Sequence, residues 1–519
     1  MNSTILLGPL VGLVGAPTDT KTDNKAKDGL TSKVVEDIDV YTLSLLSSKD
    51  IHTVQFLLNG ELFPASKVAE TFSGYFWAVT IKVKINGNSQ RMMYKVLLNG
   101  VETADNHGLN KWEFYIPAKN EEPCIAYASC NGFSSADLAK NTANPYGLWK
   151  RMQQNHAAAP FSLLIMGGDQ LYADEIWYKV DELHKWTELS EQEQFEFEPS
   201  ENLPRALDSF YEQLYLRQWN RPEVAMMLAS VPTIMMWDDH DIFDGWGSYG
   251  ESFQQCKVYQ LVFQYARKYF EIFQLRCREQ DKMLSPVPGS HYAYGVNFRS
   301  YGILAMDHRT QRSLDRIMGE DQWEQIIKWL NEVEFGENLL VLSGVPVVYR
   351  DFGSIEQAVD FTFWKEEVSD DLKDHWRAKE HQGERLRFIH QFLDELKLRR
   401  SRKNNTGRTV ILSGDVHVGC LGVIMDRRDI PQKIHQVVSS GIVHPSPTWI
   451  QWAGILATTN DSNEYLNEDK KLETAILKPI GSDTYIRARN FATLQMGTDK
   501  KLWINWINES KDKPQYPLE

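Results

Sequence analysis

Short apolar runs, separated by longer segments of mixed polarity, recur along the chain from about residue 123 and constrain its fold more than any other feature. Strands buried on both faces form near-continuous apolar runs, and strands that alternate with helices are typical of α/β layered domains. The segments 251–276 and 379–398 have the length and pattern of helices. We therefore predict an α/β domain over residues 119–519. The apolar runs are CIAYAS, FSLLIMG, PTIMMW, GILAM, LLVLSG, TVILSG and IHQVVSS.

The first 118 residues have a different pattern, in which apolar and polar residues alternate. Apolar residues occupy the odd positions from Trp77 to Ile85, with threonine and lysine between them, as in a strand with one buried face. Asn86-Gly87 is a hairpin signal, so MMYKVLL is expected to be the partner strand. We predict a small antiparallel β-sandwich domain over residues 1–118, with PAKNEEP (117–123) as the linker.

Composition and charge exclude several classes of partner. The 519 residues include 56 basic and 70 acidic side chains, a formal net charge of −14, and no basic stripe for nucleic acid or an anionic membrane. We therefore expect a small-molecule substrate and no stable nucleic-acid partner. No run of 18 apolar residues is present, so no membrane span is expected. The composition does not indicate an oligomeric state.

The cysteine content and the N-terminal sequence bear on localisation. Five cysteines without a CxxC pair favour a reducing compartment. The apolar stretch 5–16 has no Lys or Arg before it and contains three glycines and a proline, so we interpret it as an opening strand and turn, not a signal peptide. No Arg-Arg pair occurs near the N-terminus. These features predict a cytoplasmic protein.

Side chains that can bind metal ions directly follow four of the predicted strands. Open α/β sheets gather their sites at the carboxyl ends of strands, so these residues are expected to meet. Three carboxylates and a histidine within residues 238–241 repel one another unless a cation is present. Each motif alone also fits a structural role (an exposed acidic loop, a turn, a buried pair or a buried cysteine), but their common position favours one site. The residues are Cys130; Asp169, Tyr172 and Asp174; Asp238, Asp239, His240, Asp241 and Asp244; and Asp415 and His417.

The motifs GGDQLYAD, WDDHDIFDGWGSY and LSGDVH, in this order, resemble those of the PhoD-like alkaline phosphatases of the metallophosphoesterase superfamily. MDHRTQR, IMGEDQWEQIIKWL, DDLKDHWRAKEHQGERL and HQVVSSGI resemble further segments of that family, so the resemblance extends from about Pro123 to the C-terminus. It implies an α/β fold of two stacked β-sheets flanked by helices, preceded by a small antiparallel β domain. The Asp-x-His and Gly-Asn-His-Glu motifs of most of the superfamily are absent. Cys130 and residues 238–241 stand in their place, as in the PhoD-like branch.

The resemblance also implies metal cofactors, a ferric iron with calcium beside it. Ligand chemistry agrees, because thiolate and phenolate suit Fe³⁺, clustered carboxylates suit Ca²⁺, and a dinuclear zinc site would use more histidines. Zn²⁺ or Mn²⁺ is the alternative. The implied ligands are Cys130, Asp169 and Tyr172 for iron, and Asp169 (bridging), Asp239, Asp415 and Asp238 for calcium.

Catalytic roles follow from these positions. A metal-activated hydroxide is the expected nucleophile, and the cations would stabilise charge on the phosphoryl oxygens. His240 is the candidate general acid, with Asp239 and Asp241 favouring its imidazolium. His417 is either a metal ligand or a second proton-handling group.

Arg309 is the third candidate catalytic residue, and it has two interpretations. Its guanidinium either holds a phosphate oxygen bidentately or forms a buried pair with Asp307. Further candidates near the substrate are His444, Trp246, and the pair Asp374 and Trp376, which are equally compatible with a helix cap and a core aromatic.

The predicted function is metal-dependent hydrolysis of phosphate monoesters or diesters. One alternative is a phospholipase-like or phosphotriester hydrolase that uses the same metal site. Another is a binding scaffold that is stabilised by metal and has no activity. The presence of His240 together with every implied ligand favours an enzyme.

Overall fold

A computed structural model describes residues 5–16, 37–350, 376–402 and 406–519 of the chain. Over these residues the strands are β1 (Ile5–Gly15), β2 (Ile38–Ser48), β3 (Val54–Leu58), β4 (Glu61–Pro64), β5 (Ser66–Glu70), β6 (Gly74–Lys84), β7 (Gln90–Leu98), β8 (Val101–Glu102), β9 (Trp112–Ile116), β10 (Ile125–Ala128), β11 (Leu163–Gly167), β12 (Thr233–Met236), β13 (Tyr294–Phe298), β14 (Tyr301–Ala305), β15 (Asn338–Leu342), β16 (Arg408–Ser413), β17 (Cys420–Asp426), β18 (Gln432–Val438), β19 (Glu464–Tyr465), β20 (Leu472–Leu477), β21 (Asn490–Met496), β22 (Leu502–Asn508) and β23 (Gln515–Leu518).

The α-helices of the same residues all lie in connections between strands from β10 onward. They are α1 (Ala136–Asn141), α2 (Gly147–Ala158), α3 (Ile176–Lys179), α4 (Asp181–Thr187), α5 (Glu191–Glu196), α6 (Leu203–Trp219), α7 (Pro222–Ser230), α8 (Glu251–Gln254), α9 (Lys257–Tyr269), α10 (Glu320–Glu332), α11 (Gln382–Arg402) and α12 (Trp449–Thr458).

Two of the three sheets found in the described residues form a layered core. The first sheet has the order β23-β22-β21-β10-β11-β12-β1-β2-β6-β5, and the second has the order β13-β14-β15-β16-β18-β17-β20-β19. Neighbouring strands run parallel from β10 through β11 and β12 to β1, and from β14 through β15 and β16 to β18. Every residue of β10, β11, β12 and β15 is buried, as expected for parallel strands that are covered on both faces.

The two sheets pack against each other through apolar side chains. Leu340 and Leu412 of the second sheet belong to the same buried cluster as Ile165 and Ile234 of the first. Tyr294 OH donates a hydrogen bond to the carbonyl oxygen of Met235 at 2.6 Å, which ties β13 to β12. Helix α7 lies against β1, and α11 lies against β16 and β18. The predicted α/β fold, a double β-sheet sandwich flanked by helices, is confirmed.

The third sheet has the order β4-β3-β7-β8, with β9 paired to β7, and it faces the N-terminal strands of the first sheet. The rings of Tyr41 on β2 and Phe114 on β9 lie 5.3 Å apart between the layers. The predicted hairpin between β6 and β7 is wrong, because these strands belong to different sheets. Strand β6 pairs with β2 over the full 11 residues of each, a longer ladder than the nine residues of β7 provide, and residues 85–89 cross between the sheets.

The first sheet continues across residue 118, the predicted domain boundary. Gly12 of β1 pairs with Thr233 of β12, and Thr233 Oγ1 donates to the carbonyl oxygen of Val11 at 3.0 Å. Strands from 1–118 and from 119–519 therefore share one sheet, and the division into two domains stays a prediction. Among the described helices, none combines the length and the hydropathy needed to cross a membrane.

Candidate active site

The turns that follow the strands of the predicted site contain residues in the left-handed backbone conformation. Cys130 after β10 has φ 54°, Asp169 after β11 has φ 53°, and Asp415 and His417 after β16 have φ 67° and 52°. Non-glycine residues adopt this region uncommonly, and a cluster of them persists only where the surrounding structure enforces it. Gly168 has φ 107°, and a Cβ there would lie 2.9 Å from Asp238 Cβ, so the turn after β11 requires glycine.

Four carboxylates from the two sheets converge at these turns. Asp169, Asp238, Asp239 and Asp415 each contribute an oxygen, and these oxygens all lie within 4.8 Å of one another. Asp169 Oδ1 has no hydrogen-bond partner among the described residues. Burial, followed by the nearby Cys130 thiol, raises the pKa of Asp169 well above its usual range. A bound cation would give Asp169 Oδ1 a partner and would remove the repulsion among the carboxylates.

Cys130 and Tyr172 lie beside the carboxylates. Cys130 Sγ lies 3.4 Å from Asp169 Oδ2 and 3.3 Å from Ser440 Oγ, and Tyr172 OH lies 3.2 Å from His417 Nε2. Burial raises the pKa of the Cys130 thiol, and burial with Cys130 and Asp169 nearby raises the pKa of the Tyr172 phenol well above its usual range. Both groups therefore hold their protons in the protein alone, and a multivalent cation would favour the deprotonated, ligating forms.

His240 forms a buried pair with Asp174. His240 Nδ1 lies 2.8 Å from Asp174 Oδ2, and His240 Nε2 lies 3.9 Å from Asp244 Oδ1. Burial alone would lower the pKa of His240, but Asp174, Asp239 and Asp244 together raise it well above its usual range. Because a carboxylate only accepts, Nδ1 carries a proton, and an imidazolium also carries one on Nε2.

The Asp241 carboxylate, which the sequence suggests as a counter-charge for His240, is hydrogen-bonded in the interior. It accepts hydrogen bonds from the backbone N–H groups of Leu171 and Asp238 and from Gln274 Nε2. Burial raises the pKa of Asp241 to about 7. Asp241 thus stabilises the turn that contains residues 238–240. The carboxylate that pairs with the His240 ring is that of Asp174.

Arg309 is fully buried and compensates the carboxylate charge. Its Nε donates to Asp238 Oδ1, its Nη2 donates to Asp239 Oδ1 at 3.2 Å, and its Nη1 donates to the carbonyl oxygen of Trp246 at 3.2 Å. Its backbone N–H donates to Asp307 Oδ1 at 3.0 Å. The pairing of the guanidinium is therefore with Asp238 and Asp239, whereas a role in holding phosphate stays a prediction.

His417 and His444 form a stacked pair at the edge of the site. Their ring centroids lie 3.6 Å apart, and Tyr172 stacks on both His240 (4.2 Å) and His444 (5.5 Å). His444 Nδ1 donates to the carbonyl oxygen of Pro445 at 2.9 Å, which leaves Nε2 to accept from Ser134 Oγ at 3.3 Å. Burial lowers the pKa of His417 well below its usual range and that of His444 to about 3, so both are neutral.

The aromatic residues expected near the substrate lie in the core. Trp246 is 2% exposed and stacks on Phe263 at 4.6 Å, so it supports the Arg309 loop from behind. Trp376 is fully buried, contacts the rings of His308 and Phe388, and donates to Ser343 Oγ. Asp374 lies outside the described residues.

The sequence does not predict Ser440 as part of the site, nor the partner of Asp174. Ser440 Oγ contacts Cys130 Sγ and accepts from the His417 backbone N–H at 2.8 Å, so it connects two of the turns. The sequence feature that could have identified Ser440 is its position just after the buried strand β18, in VVSSG. Asp174 is among the residues expected to meet at the strand ends, but its pairing with His240 depends on a contact across 66 residues of sequence.

The donor set fits the metals that the sequence implies. Carboxylates from β11, β12 and β16 suit calcium, and Cys130 and Tyr172 offer the thiolate and phenolate that suit ferric iron. The half-buried Asp415 and His417 leave the cluster open to solvent on one side. The geometry brings all the predicted metal ligands, together with His240, His417 and Arg309, to one place, although their individual roles stay predictions.

The family described as PhoD related phosphatase matches residues 100–363, just over half of the chain. The uncharacterized protein YGR266W of Saccharomyces cerevisiae is 27% identical over 443 residues, which cover 72% of this chain and 60% of that protein. The chain thus aligns with less than two thirds of that relative.

Two solved structures share the fold. The structure of PhoD aligns with 100% of this chain and 90% of its own, with a TM-score of 0.58 and 13% identity. The purple acid phosphatase PPD1 from yellow lupin (Lupinus luteus) seeds aligns with 98% of this chain and 74% of its own, with a TM-score of 0.50 and 12% identity. At these identities the likeness concerns the fold alone.

Proposed function

The chain belongs to the family of PhoD-related phosphatases, and we propose that it hydrolyses phosphate monoesters or diesters at a metal centre on the carboxyl ends of β10, β11, β12 and β16. The observation that carries the proposal is the convergence of four carboxylates, with oxygens within 4.8 Å of one another, one of which (Asp169) has an Oδ1 atom without a hydrogen-bond partner among the described residues. The negative charges of the carboxylates favour bound cations, and bound cations would favour a substrate with an anionic phosphoryl group.

We assign the ligands by donor chemistry. Cys130, Asp169 and Tyr172 would hold ferric iron, and Asp169, Asp239 and Asp415 would hold calcium, with Asp238 shared between calcium and Arg309. When bound, the metal ions would supply Lewis-acid chemistry, namely a nucleophile at neutral pH and neutralisation of charge on the phosphoryl oxygens. Zinc or manganese at the same residues is the alternative.

The residues around the ligands have separate tasks. Arg309 balances Asp238 and Asp239 from the buried side, which keeps these carboxylates in place before any cation arrives. Asp174 fixes the Nδ1 proton of His240, so that Nε2, on the side of Asp244, is free to donate a proton to the departing ester oxygen. His417, neutral and bonded to the Tyr172 hydroxyl, would orient that phenol.

The test combines elemental analysis with two chromogenic substrates, p-nitrophenyl phosphate and bis(p-nitrophenyl) phosphate. Protein purified without added metal should contain about one iron atom per chain, one per thiolate–phenolate site, with calcium beside it, and should hydrolyse at least one ester. Asp169→Asn should lose metal and activity together, whereas Asp137→Asn, at an exposed carboxylate of α1, should lose neither.

Other results would separate the alternatives. Zinc or manganese in pairs, with activity, would overturn the iron assignment and keep the hydrolase. Bound metal without hydrolysis of either ester would support a metal-stabilised scaffold. Neither bound metal nor uptake on reconstitution would overturn the proposed function.

A further inference from the structure

Helix α12 presents apolar side chains to solvent beside the candidate site. Trp449 is 68% exposed, Ile450 is 80% exposed and Leu456 is 43% exposed. Its sequence, WIQWAGILAT, contains no charged residue. Contiguous apolar surface of this kind on a folded protein marks an interaction site more often than chance exposure does.

The exposed side chains form one face of the helix. Trp449, Ile450, Ala453, Leu456 and Ala457 are all exposed and follow helical spacing, so the outer face is apolar along its length. Trp452, on the inner side, is 4% exposed and packs on Tyr485 with ring centroids 5.2 Å apart. The helix therefore packs on the protein through one face and exposes the other to solvent.

The inner face of α12 connects to the loops of the metal centre. Tyr485 lies 6.4 Å from Tyr349, and Tyr349 OH donates to the carbonyl oxygen of Val418, which follows His417. On the other side, residues 445–448 join the helix to His444. The outer face thus lies near the site without contributing to it.

A cation lies beside the two tryptophans of α12, one on its outer face and one on its inner side. The guanidinium of Arg487 lies over the rings of Trp449 (4.9 Å) and Trp452 (5.7 Å), and Arg487 Nε has no hydrogen-bond partner among the described residues. Tryptophan, aliphatic residues and arginine together are typical of segments that lie at the headgroup level of a bilayer. The net charge of −14 disfavours a strongly anionic membrane, whereas one arginine suits the phosphate of a zwitterionic headgroup.

We propose that the outer face of α12 docks on a zwitterionic phospholipid surface and presents phosphoesters of that surface to the metal centre. Docking would insert Trp449, Ile450 and Leu456 among the acyl chains and place Arg487 against a lipid phosphate. The identity of the substrate as an amphiphilic phosphoester rests on the proposed function, whereas the docking itself does not.

Flotation with phosphatidylcholine vesicles tests the docking. The full chain should float with the vesicles, and replacing a fifth of the lipid by phosphatidylserine should not strengthen binding. Ile450→Asp and Leu456→Asp should each lower the partition coefficient at least about tenfold, equivalent to about 1.4 kcal/mol. Ile430→Asp is the matched control, because Ile430 is 57% exposed in the turn between β17 and β18, at the end of those strands remote from Asp415.

The outcomes distinguish this inference from the proposed function. Ile450→Asp should keep full activity on soluble p-nitrophenyl phosphate and lose activity on phospholipid in vesicles. Absence of flotation, or equal losses for Ile450→Asp and Ile430→Asp, would overturn the docking. A dimer in solution that Ile450→Asp dissolves would also overturn it, because the face would then bind a second copy. Flotation without hydrolysis of any ester would keep the docking and contradict the hydrolase.

Discussion

Two acid–base pairs hold the charges of the site in place, one on each side of the carboxylate cluster. His240 and Asp174 meet at 2.8 Å on the open side, and Arg309 meets Asp238 and Asp239 on the buried side. The first pair leaves a proton available at His240 Nε2, whereas the second leaves none available to solvent because Arg309 is fully buried. The two pairs therefore predict different consequences when either is broken.

Removing His240 should affect substrates according to their leaving groups. We expect His240→Gln to lower kcat about 10²–10⁴-fold for an alkyl phosphate, whose departing oxygen needs a proton, and much less for p-nitrophenyl phosphate. Asp174→Asn should give the same pattern with a smaller loss, because Asn no longer favours the imidazolium. Kinetics on both esters, with elemental analysis of each variant, measure this. Equal losses on the two esters, at unchanged metal content, would exclude His240 as the general acid.

The first effect to measure on replacing Arg309 is a lower free energy of unfolding, rather than a change in activity. Arg309→Met removes a buried counter-charge from Asp238 and Asp239, so we expect the free energy of unfolding in urea, without metal, to fall by about 3 kcal/mol. Added metal should restore part of this loss, because a cation can replace the guanidinium. Arg316→Met, at an exposed arginine of the following loop, is the control. Equal losses with and without metal would show that Arg309 and the cations do not balance the same carboxylates.

At the scale of elements, the sequence predicts positions well and pairings poorly. The apolar runs that precede Asp169, Asp238 and Asp415 are buried strands, and the polar residues after them do meet. The turn geometry that brings them together depends on left-handed backbone at Cys130 and Asp415, a conformation that the sequence indicates clearly only at glycine. Alternation likewise identifies β6 and β7 as strands, but the choice of partner depends on ladder length and on packing between sheets.

A histidine in helix α2 predicts how the stability of the protein depends on pH, independently of the metal centre. His156, in its last turn, accepts the Phe161 backbone N–H through Nδ1 at 3.0 Å, and burial lowers its pKa to about 4. The unfolded chain therefore binds a proton near pH 6.5 that the folded protein excludes until about pH 4. The contribution of His156 to the free energy of unfolding should be fully present above pH 6.5. It should fall by about 1–3 kcal/mol as the pH is lowered to 4.

Denaturant unfolding across that pH range measures the effect in a variant. His156→Asn keeps an acceptor near the position of Nδ1 and cannot titrate, so its stability should decline less steeply between pH 6.5 and 4. His107→Asn, at an exposed histidine in the turn before β9, should follow the original protein. Parallel curves for all three proteins would contradict the assignment.

At the scale of the whole molecule, the first sheet joins segments that the sequence separates. The change of pattern near residue 118 suggests a boundary there, yet the pairing of β1 with β12 has no signal in the local pattern because 221 positions separate Gly12 from Thr233. Two more contacts cross the same point. The buried Asp39 and Arg299 meet at 2.8 Å, and Tyr94 OH donates to the carbonyl oxygen of Ala229 at 2.7 Å.

These contacts predict that the chain folds as one unit. We expect residues 119–519 alone to lack a cooperative unfolding transition, because β12 would lose its neighbour β1 and Arg299 would stay buried without Asp39. A protease site introduced at the exposed residues 119–122 allows the matched experiment on the folded protein. After cleavage, the two fragments should co-elute in gel filtration and unfold in one transition. Fragments that separate without denaturant would instead support two independent domains that meet at residue 118.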